Sequence, residues 1–402
     1  MNRKKIIQTS KITWHSNTVL PRNNIVMNEL RSIIIKPIGS FCNLRCKYCF
    51  YLDKHALYEG SASTHKMDEA TLERLIKQMF MGTNQPTFTW QGGEPTVIGL
   101  DFFRQAVEFQ KFYAKGRRYQ NSLQTHAMLL TPEWAEFLKK EDFLVGISID
   151  GPEHVHDYYR VDAQGKGTFQ KVFDNTKMLQ DHEVDFNILA SVSDYSANYP
   201  KEIYQFFRDN DFNFMQFSPI VETDPDNPNV ALPFSVNAQQ YGRFLHKVFR
   251  SWRKDFDVEK LKQKTSIRFF DSLLNRYIGK AADHCVLQKN CNVYLVAEHN
   301  GDLFSCDFLV SPQTHLGNLH NTNLQDAFNS PNHIAFGQEK ANYNEKCQQC
   351  QWLKICYGGC VKDRINDPRD QGHNRFCQSY EYFFEHNHAE FIKLARLYLK
   401  HY

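Results

Sequence analysis

Cys42-Asn-Leu-Arg-Cys46-Lys-Tyr-Cys49 is the stretch that decides how this chain is read. It follows SIIIKPI (32–38), an apolar run of strand length, and it places three thiols on one short loop among Phe41, Tyr48 and Phe50. Iron–sulfur clusters are held by thiolates on short loops, and four ligands complete a cubane. Three close cysteines with no fourth nearby leave one iron open to another ligand. A zinc knuckle competes with that reading, but zinc takes paired C-x2-C ligands and a structural zinc site is closed by a fourth. Cysteines buried as small hydrophobes are the remaining alternative.

Outward from this loop the pattern alternates. Residues 67–81 carry helical spacing, PTFTWQG (86–92) reads as a strand, and FFRQAVEFQKFY (102–113) reads as a helix. NSLQTHAMLL (121–130), FLVGISIDG (143–151), VDFNILASVS (184–193) and FNFMQFSPIV (212–221) are further strand candidates, with KVFDNTKMLQ (171–180) and PKEIYQFFRDN (200–210) as helices between them. Strands alternating with helices predict an α/β fold of βα units around a parallel sheet or barrel, whose chemistry gathers at the C-terminal strand ends. ETDPDNPNVALP (222–233) reads as a connecting loop, and 239–254 as an amphipathic helix. CNVYLVAEHNGDLFSC (291–306) reads as a hairpin turning at Asn300-Gly301. The tail 379–401 reads as a helix whose aromatic stripe is packing surface. The expected division is an N-terminal extension (1–30), a core (31–255) and a cysteine-rich C-terminal domain (256–402).

Composition narrows the function. The 402 residues are 42% hydrophobic and 23% charged, and 48 Lys plus Arg against 45 Asp plus Glu give a net charge of +3. That balance gives no footprint for nucleic acid or an anionic membrane. No run reaches the roughly 18 apolar residues of a spanning helix. The basic start lacks the continuous apolar segment of a secretion signal, so a soluble, cytoplasmic protein is expected. Eleven cysteines then argue for metal or redox chemistry rather than a disulfide framework. Three are in the first loop, and the rest are Cys285, Cys291, Cys306, Cys347, Cys350, Cys356, Cys360 and Cys377. Eight ligands supply two closed four-cysteine sites, and spacing alone leaves iron–sulfur and zinc both open.

CNLRCKYCFYLDK with FTWQGGEPT resembles the radical S-adenosylmethionine (SAM) superfamily, and within it the chain resembles the anaerobic sulfatase-maturating enzymes. NSLQTH, FLVGISIDGP, HDYYR, FNFMQF, SIRFFDSLL and CDFLV extend the likeness from about residue 31 to the end. The resemblance implies a partial (β/α)6 barrel followed by a SPASM domain with a β-hairpin and helices. It implies three [4Fe–4S] clusters, one on Cys42, Cys46 and Cys49 that binds SAM. The two auxiliary clusters would fall on Cys285, Cys291, Cys306 and Cys360, and on Cys347, Cys350, Cys356 and Cys377. The SAM pocket would include Tyr48, Gly93, Ser148, Arg160 and Val221. Strand packing for Ser148 and a surface ion pair for Arg160 are the plainer readings of those residues alone. In GGEP the glycines permit close backbone approach, and Glu94 can accept from an ammonium group.

Asp307, directly after Cys306, would be the general base that takes the proton from the substrate thiol or hydroxyl, with Gln91 and Tyr51 lining the substrate cavity. The activity implied is oxidation of a cysteine or serine in a sulfatase to Cα-formylglycine. The partners implied are an unfolded sulfatase or peptide bearing Cys/Ser-x-Pro/Ala-x-Arg and a low-potential donor such as flavodoxin or ferredoxin. A SPASM-type maturase that crosslinks a ribosomal precursor peptide is the alternative. His126-Ala127 stand where Asn-Gly is usual in the family, and His126 reads as a packed or hydrogen-bonding replacement.

Overall fold

The computed structural model describes residues 28–224, 226–257, 262–364 and 374–401. The expected N-terminal extension lies outside the described residues up to 27. Residues 28–30 already dock on the body: Leu30 is buried, and the Asn28 amide donates to Asn329 Oδ1 at 2.8 Å.

Period-two burial makes the first strand. In β1 (Ser32–Ile35) Ile33 and Ile35 face the core, and the same alternation sets β2 (Thr87–Trp90), with Phe88 and Trp90 inward. The sheet continues through β3 (Gln120–Thr125), β4 (Phe143–Ser148), β5 (Phe186–Val192), β6 (Phe214–Pro219) and β7 (Ser266–Ile267). Helices α1 (Glu69–Gly82), α2 (Leu100–Ala114), α3 (Pro132–Lys140), α4 (Phe169–Asp181), α5 (Pro200–Asp209) and α6 (Ala238–Lys254) follow the first six strands in turn. The tail of the chain adds β8 (Leu295–Ala297), β9 (Asp302–Phe304) and β10 (His315–Asn318).

One sheet runs β7-β6-β5-β4-β3-β2-β1-β8-β9-β10. All its pairs are parallel except β8 with β9 and β9 with β10. It stays open at β7 and β10 among the described residues, the partial barrel the sequence implied. The register Ile35↔Trp90 and Ile35↔Ala297 matters most, because it seats the cysteine-rich part of the chain directly beside β1.

The hairpin expected at Asn300-Gly301 is formed by β8 and β9, with Gly301 at φ +86°, where only glycine is unstrained. Helix α7 (Arg268–Tyr277) and the terminal α8 (Cys377–His401) pack against α6 through Phe249, which meets Phe270 of α7 edge-on and stacks on Phe391 of α8, while Phe270 stacks on Phe383 of α8. The aromatic stripe of the tail is therefore packing surface, as read. The connector 222–233 departs from the loop expected of it: Thr223–Asp224 pairs antiparallel with Asn227–Ala231. The Asp224 carboxylate accepts from the Asp226 amide at 2.8 Å, so the Asp/Asn chemistry that reads as loop here closes a short hairpin. No helix among the described residues is long and apolar enough to cross a membrane.

Candidate active site

The cysteine loop leaves the C-terminal end of β1 and GGEP leaves the end of β2, and their backbones are bonded to each other. The Gly93 amide donates to Gly39 O and the Glu94 amide to Phe41 O, both at 2.8 Å. A Cβ on Gly93 would sit 2.0 Å from Phe41 O, so no other residue fits without moving the cysteine loop. The far side of the loop is laced to the segment carrying Arg160: Arg45 N donates to Val161 O at 2.8 Å and Lys47 N to Tyr159 O at 3.0 Å.

Arg160 sits in the centre of a buried network. Its guanidinium Nε lies 3.0 Å from Asp150 Oδ2, and the same oxygen accepts from Tyr48 OH at 2.5 Å. Asp150 Oδ1 takes the Ser191 amide at 2.8 Å. Burial is the strongest influence and opposes the charge on Arg160, but Asp150, Tyr48 and Cys46 together outweigh it and hold the group above its ordinary value. The Cys46 thiol is pushed up to about 11 by burial, and the Arg160 charge works against that rise. Asp150 thus ties Arg160 to Tyr48 of the cysteine loop. Ser148, at the end of β4, accepts from Gln124 at 3.2 Å, and Val221 is buried just beyond β6.

Glu94 is committed to the fold. One carboxylate oxygen accepts from Thr96 N, Thr96 Oγ1 and Thr125 Oγ1 at 3.1, 2.6 and 2.7 Å, and the other from His126 N at 2.9 Å. These bonds tie the end of β2 to the end of β3. His126 is a hydrogen-bonding replacement, as expected, with Nε2 2.8 Å from Asn43 Oδ1 in the cysteine loop. Ala127, in the place of the usual glycine, holds φ +63°.

The late cysteines gather in two groups. Cys347, Cys350, Cys356 and Cys377 line one pocket with Trp352 and Tyr380. Burial pushes the Cys356 and Cys377 thiols up to about 11 and about 12, and thiols of the same group add to each rise. In the other group burial lifts the Cys360 thiol well above its ordinary value, with Asp363, Cys306 and Cys285 acting the same way. Burial also lifts Cys291, with Cys285 adding to the rise. Buried Lys340 faces this second group and donates to Cys285 O at 2.6 Å.

No cysteine forms a disulfide. Buried thiols whose ionisation is disfavoured become thiolates when a metal centre supplies positive charge. Donors already point at sulfur, Leu44 N at Cys42 (3.3 Å) and Trp352 N at Cys350 (3.4 Å). The donor set fits iron–sulfur ligation.

Asp307 closes the site from the β9 side. Burial first and Asp307 next push the neighbouring Cys306 thiol up to about 12. The carboxylate is 6% exposed, with Oδ1 ion-paired to Lys36 and Oδ2 accepting from Gln91 Nε2 at 2.6 Å. Lys36 Nζ lies 3.6 Å from the Tyr51 ring centroid, and Tyr51 OH donates to Glu298. Gln91 and Tyr51 therefore both belong to the surroundings of Asp307.

The radical SAM superfamily model matches residues 37–207, and an iron–sulfur cluster-binding domain model matches 285–351. A serine-type anaerobic sulfatase-maturating enzyme from Bacteroides thetaiotaomicron is 38% identical, over 88% of this chain and 88% of that protein. A cysteine-type anaerobic sulfatase-maturating enzyme from Clostridium novyi is 37% identical, over 91% of this chain and 97% of that one. The chain belongs to the anaerobic sulfatase-maturating enzymes. The structure of native anSMEcpe with bound AdoMet and the Cp18Cys peptide superposes with a TM-score of 0.81 at 33% identity, over 91% of this chain and 98% of that one.

Within this sulfatase-maturating fold, sequence reasoning missed Lys36, Asp150 and Glu298. A signal existed for the first: a lysine in SIIIKPI, inside an apolar strand, has to be buried against a partner. Asp150 stood in the quoted ISIDGP, but nothing local linked it to Arg160 ten residues on.

Proposed function

We propose that this chain oxidises a cysteine or serine within Cys/Ser-x-Pro/Ala-x-Arg of an unfolded sulfatase to Cα-formylglycine, with Asp307 as the base. The observation that carries the proposal is Asp307 itself: a buried carboxylate held at both oxygens, one residue from Cys306 and against the strand that launches the cysteine loop. Cys42, Cys46 and Cys49 would hold one cluster. Cys285, Cys291, Cys306 and Cys360, and Cys347, Cys350, Cys356 and Cys377, would hold two more. Tyr48, Gly93, Ser148, Arg160 and Val221 would surround SAM, and the division at 31–255 and 256–402 follows the same assignment.

When bound, SAM and its cluster supply a carbon radical able to take a hydrogen atom from Cβ, chemistry no side chain provides. The protein's part is placement and proton transfer. Asp307 accepts the proton from the target sulfur or oxygen as Cβ is oxidised, within hydrogen-bond reach of it. Each carboxylate oxygen has a lone pair beyond the one engaged by Lys36 or Gln91. A serine gives the aldehyde directly, and a cysteine gives a thioaldehyde that exchanges sulfur for oxygen from water. The remaining electron would pass from the substrate to an auxiliary cluster held by the late cysteines, and a low-potential partner such as flavodoxin or ferredoxin would supply the electron that starts each cycle.

Asp307→Asn keeps size and removes the basic carboxylate. In the reconstituted enzyme it lowers formylglycine formation by about 10²–10⁴-fold, while iron content and 5′-deoxyadenosine formation persist. Formylglycine at the wild-type rate in this variant defeats the assignment.

A further inference from the structure

We propose that Lys36 is a positioning residue for Asp307, holding the carboxylate in the orientation that meets the substrate proton. This rests on the reading of Asp307 as the base. Lys36 is 1% exposed, and a buried ammonium is costly unless paired. Its partners are specific. Nζ is ion-paired to Asp307 Oδ1 and lies over the Tyr51 ring, a cation–π contact at 3.6 Å.

The sheet fixes where this ammonium can be. Lys36 directly follows β1, its amide donates to Ala297 O at 2.9 Å, and the parallel pairing of β1 with β8 sets Ile35 opposite Ala297. Asp307 lies three residues beyond β9, which pairs with β8. A residue of the first strand thereby holds a residue of the cysteine-rich hairpin across the β1–β8 seam. Gln91, just after β2 on the other side of β1, holds the second oxygen.

Two donors from two strands leave the Asp307 carboxylate little freedom to turn about its own torsions. With Lys36 removed, only Gln91 holds it. Misplacement of a reacting group by about 1 Å costs up to 10²-fold in rate. An ion pair that merely stabilised the fold would lower every activity of the enzyme together; a positioning residue slows only the chemistry that needs the base.

The test compares Lys36→Met, Lys36→Gln, Asp307→Asn and the double variant Lys36→Met/Asp307→Asn as cluster-loaded enzymes. Each is given a Cys-x-Pro-x-Arg peptide deuterated at Cβ. Iron content, peptide KM, formylglycine, and deuterium in 5′-deoxyadenosine are measured together. Lys36→Met is expected to slow formylglycine formation at saturating peptide by roughly 10–100-fold. KM stays within about threefold, iron is retained, and deuterium transfer continues. The double variant, which strands no buried charge, is expected to be no slower than Asp307→Asn alone, because Lys36 acts through Asp307. If Lys36→Met does not fold, Lys36→Gln, which keeps a donor without the charge, carries the same expectation.

Wild-type formylglycine rates in the Lys36 variants beside a slow Asp307→Asn overturn the inference and leave the base intact. Losses that multiply in the double variant overturn it too, as does a fall in deuterium transfer equal to the fall in formylglycine. A wild-type rate in Asp307→Asn removes the base reading itself, and this inference with it.

Discussion

Arg160→Met removes the cation of a buried pair while leaving the Asp150 carboxylate in place. Breaking such a pair from one side costs about 3–5 kcal/mol, because a charge is stranded away from water. Asp150 keeps two donors, Tyr48 OH at 2.5 Å and the Ser191 amide at 2.8 Å, so the loss falls at the low end, about 3 kcal/mol. The Cys46 thiol also loses the positive neighbour that opposes its rise, so iron on the first loop becomes easier to lose. The assay is unfolding of the cluster-loaded enzyme by heat, with iron counted before and after gentle chelation, for Arg160→Met, Asp150→Asn and the double variant. Both single variants are expected to be less stable than the double variant, because each strands a buried charge and the double strands none. An Arg160→Met enzyme within about 1 kcal/mol of wild type, the size of a surface pair, refutes the reasoning. A double variant as unstable as the sum of the singles refutes it equally.

Two other outcomes follow. Gly93→Ala sets a methyl 2.0 Å from the backbone oxygen of Phe41, so the cysteine loop has to move; a loss of about 1–3 kcal/mol is expected, and iron bound by the first loop falls in metal analysis. His333 is fully buried with no partner for either ring nitrogen among the described residues, and burial lowers it from 6.5 to about 4. The folded state resists the proton that the unfolded chain accepts, so this stabilisation is complete above pH 6.5 and is lost as pH falls from 6.5 towards 4, about 3 kcal/mol in all. His333→Leu flattens that part of the stability profile, measured by denaturant unfolding at pH 7 and pH 4.5; an unchanged slope contradicts it.

Much of this site was legible before any fold was known, for a physical reason: metal ligands and βα periodicity are local signals. Three thiols on a strand-terminal loop, and strands recurring between helices, need no distant partner to be read. What escaped reading depends on register. Lys36 meets Asp307 only because β1 pairs with β8, more than two hundred residues apart in the chain. Glu94 is held by Thr125 at the end of β3 and by His126 just beyond it, donors that no local reading supplies. Helix α3 was overlooked although Thr131-Pro132 is a start signal, with the Thr131 hydroxyl accepting from the Trp134 amide. The connector at 222–233 failed differently, since Asp and Asn favour a tight hairpin as readily as an open loop.

The central claim is that this chain makes formylglycine. It is tested most directly by anaerobic incubation of the reconstituted wild-type enzyme with SAM, a low-potential reductant and two peptides that differ only in cysteine or serine at the target position, read by mass spectrometry. The account predicts an aldehyde at the target residue of at least one peptide, formed together with 5′-deoxyadenosine. Sustained SAM cleavage with both peptides unchanged, or a crosslink in place of an aldehyde, would contradict it.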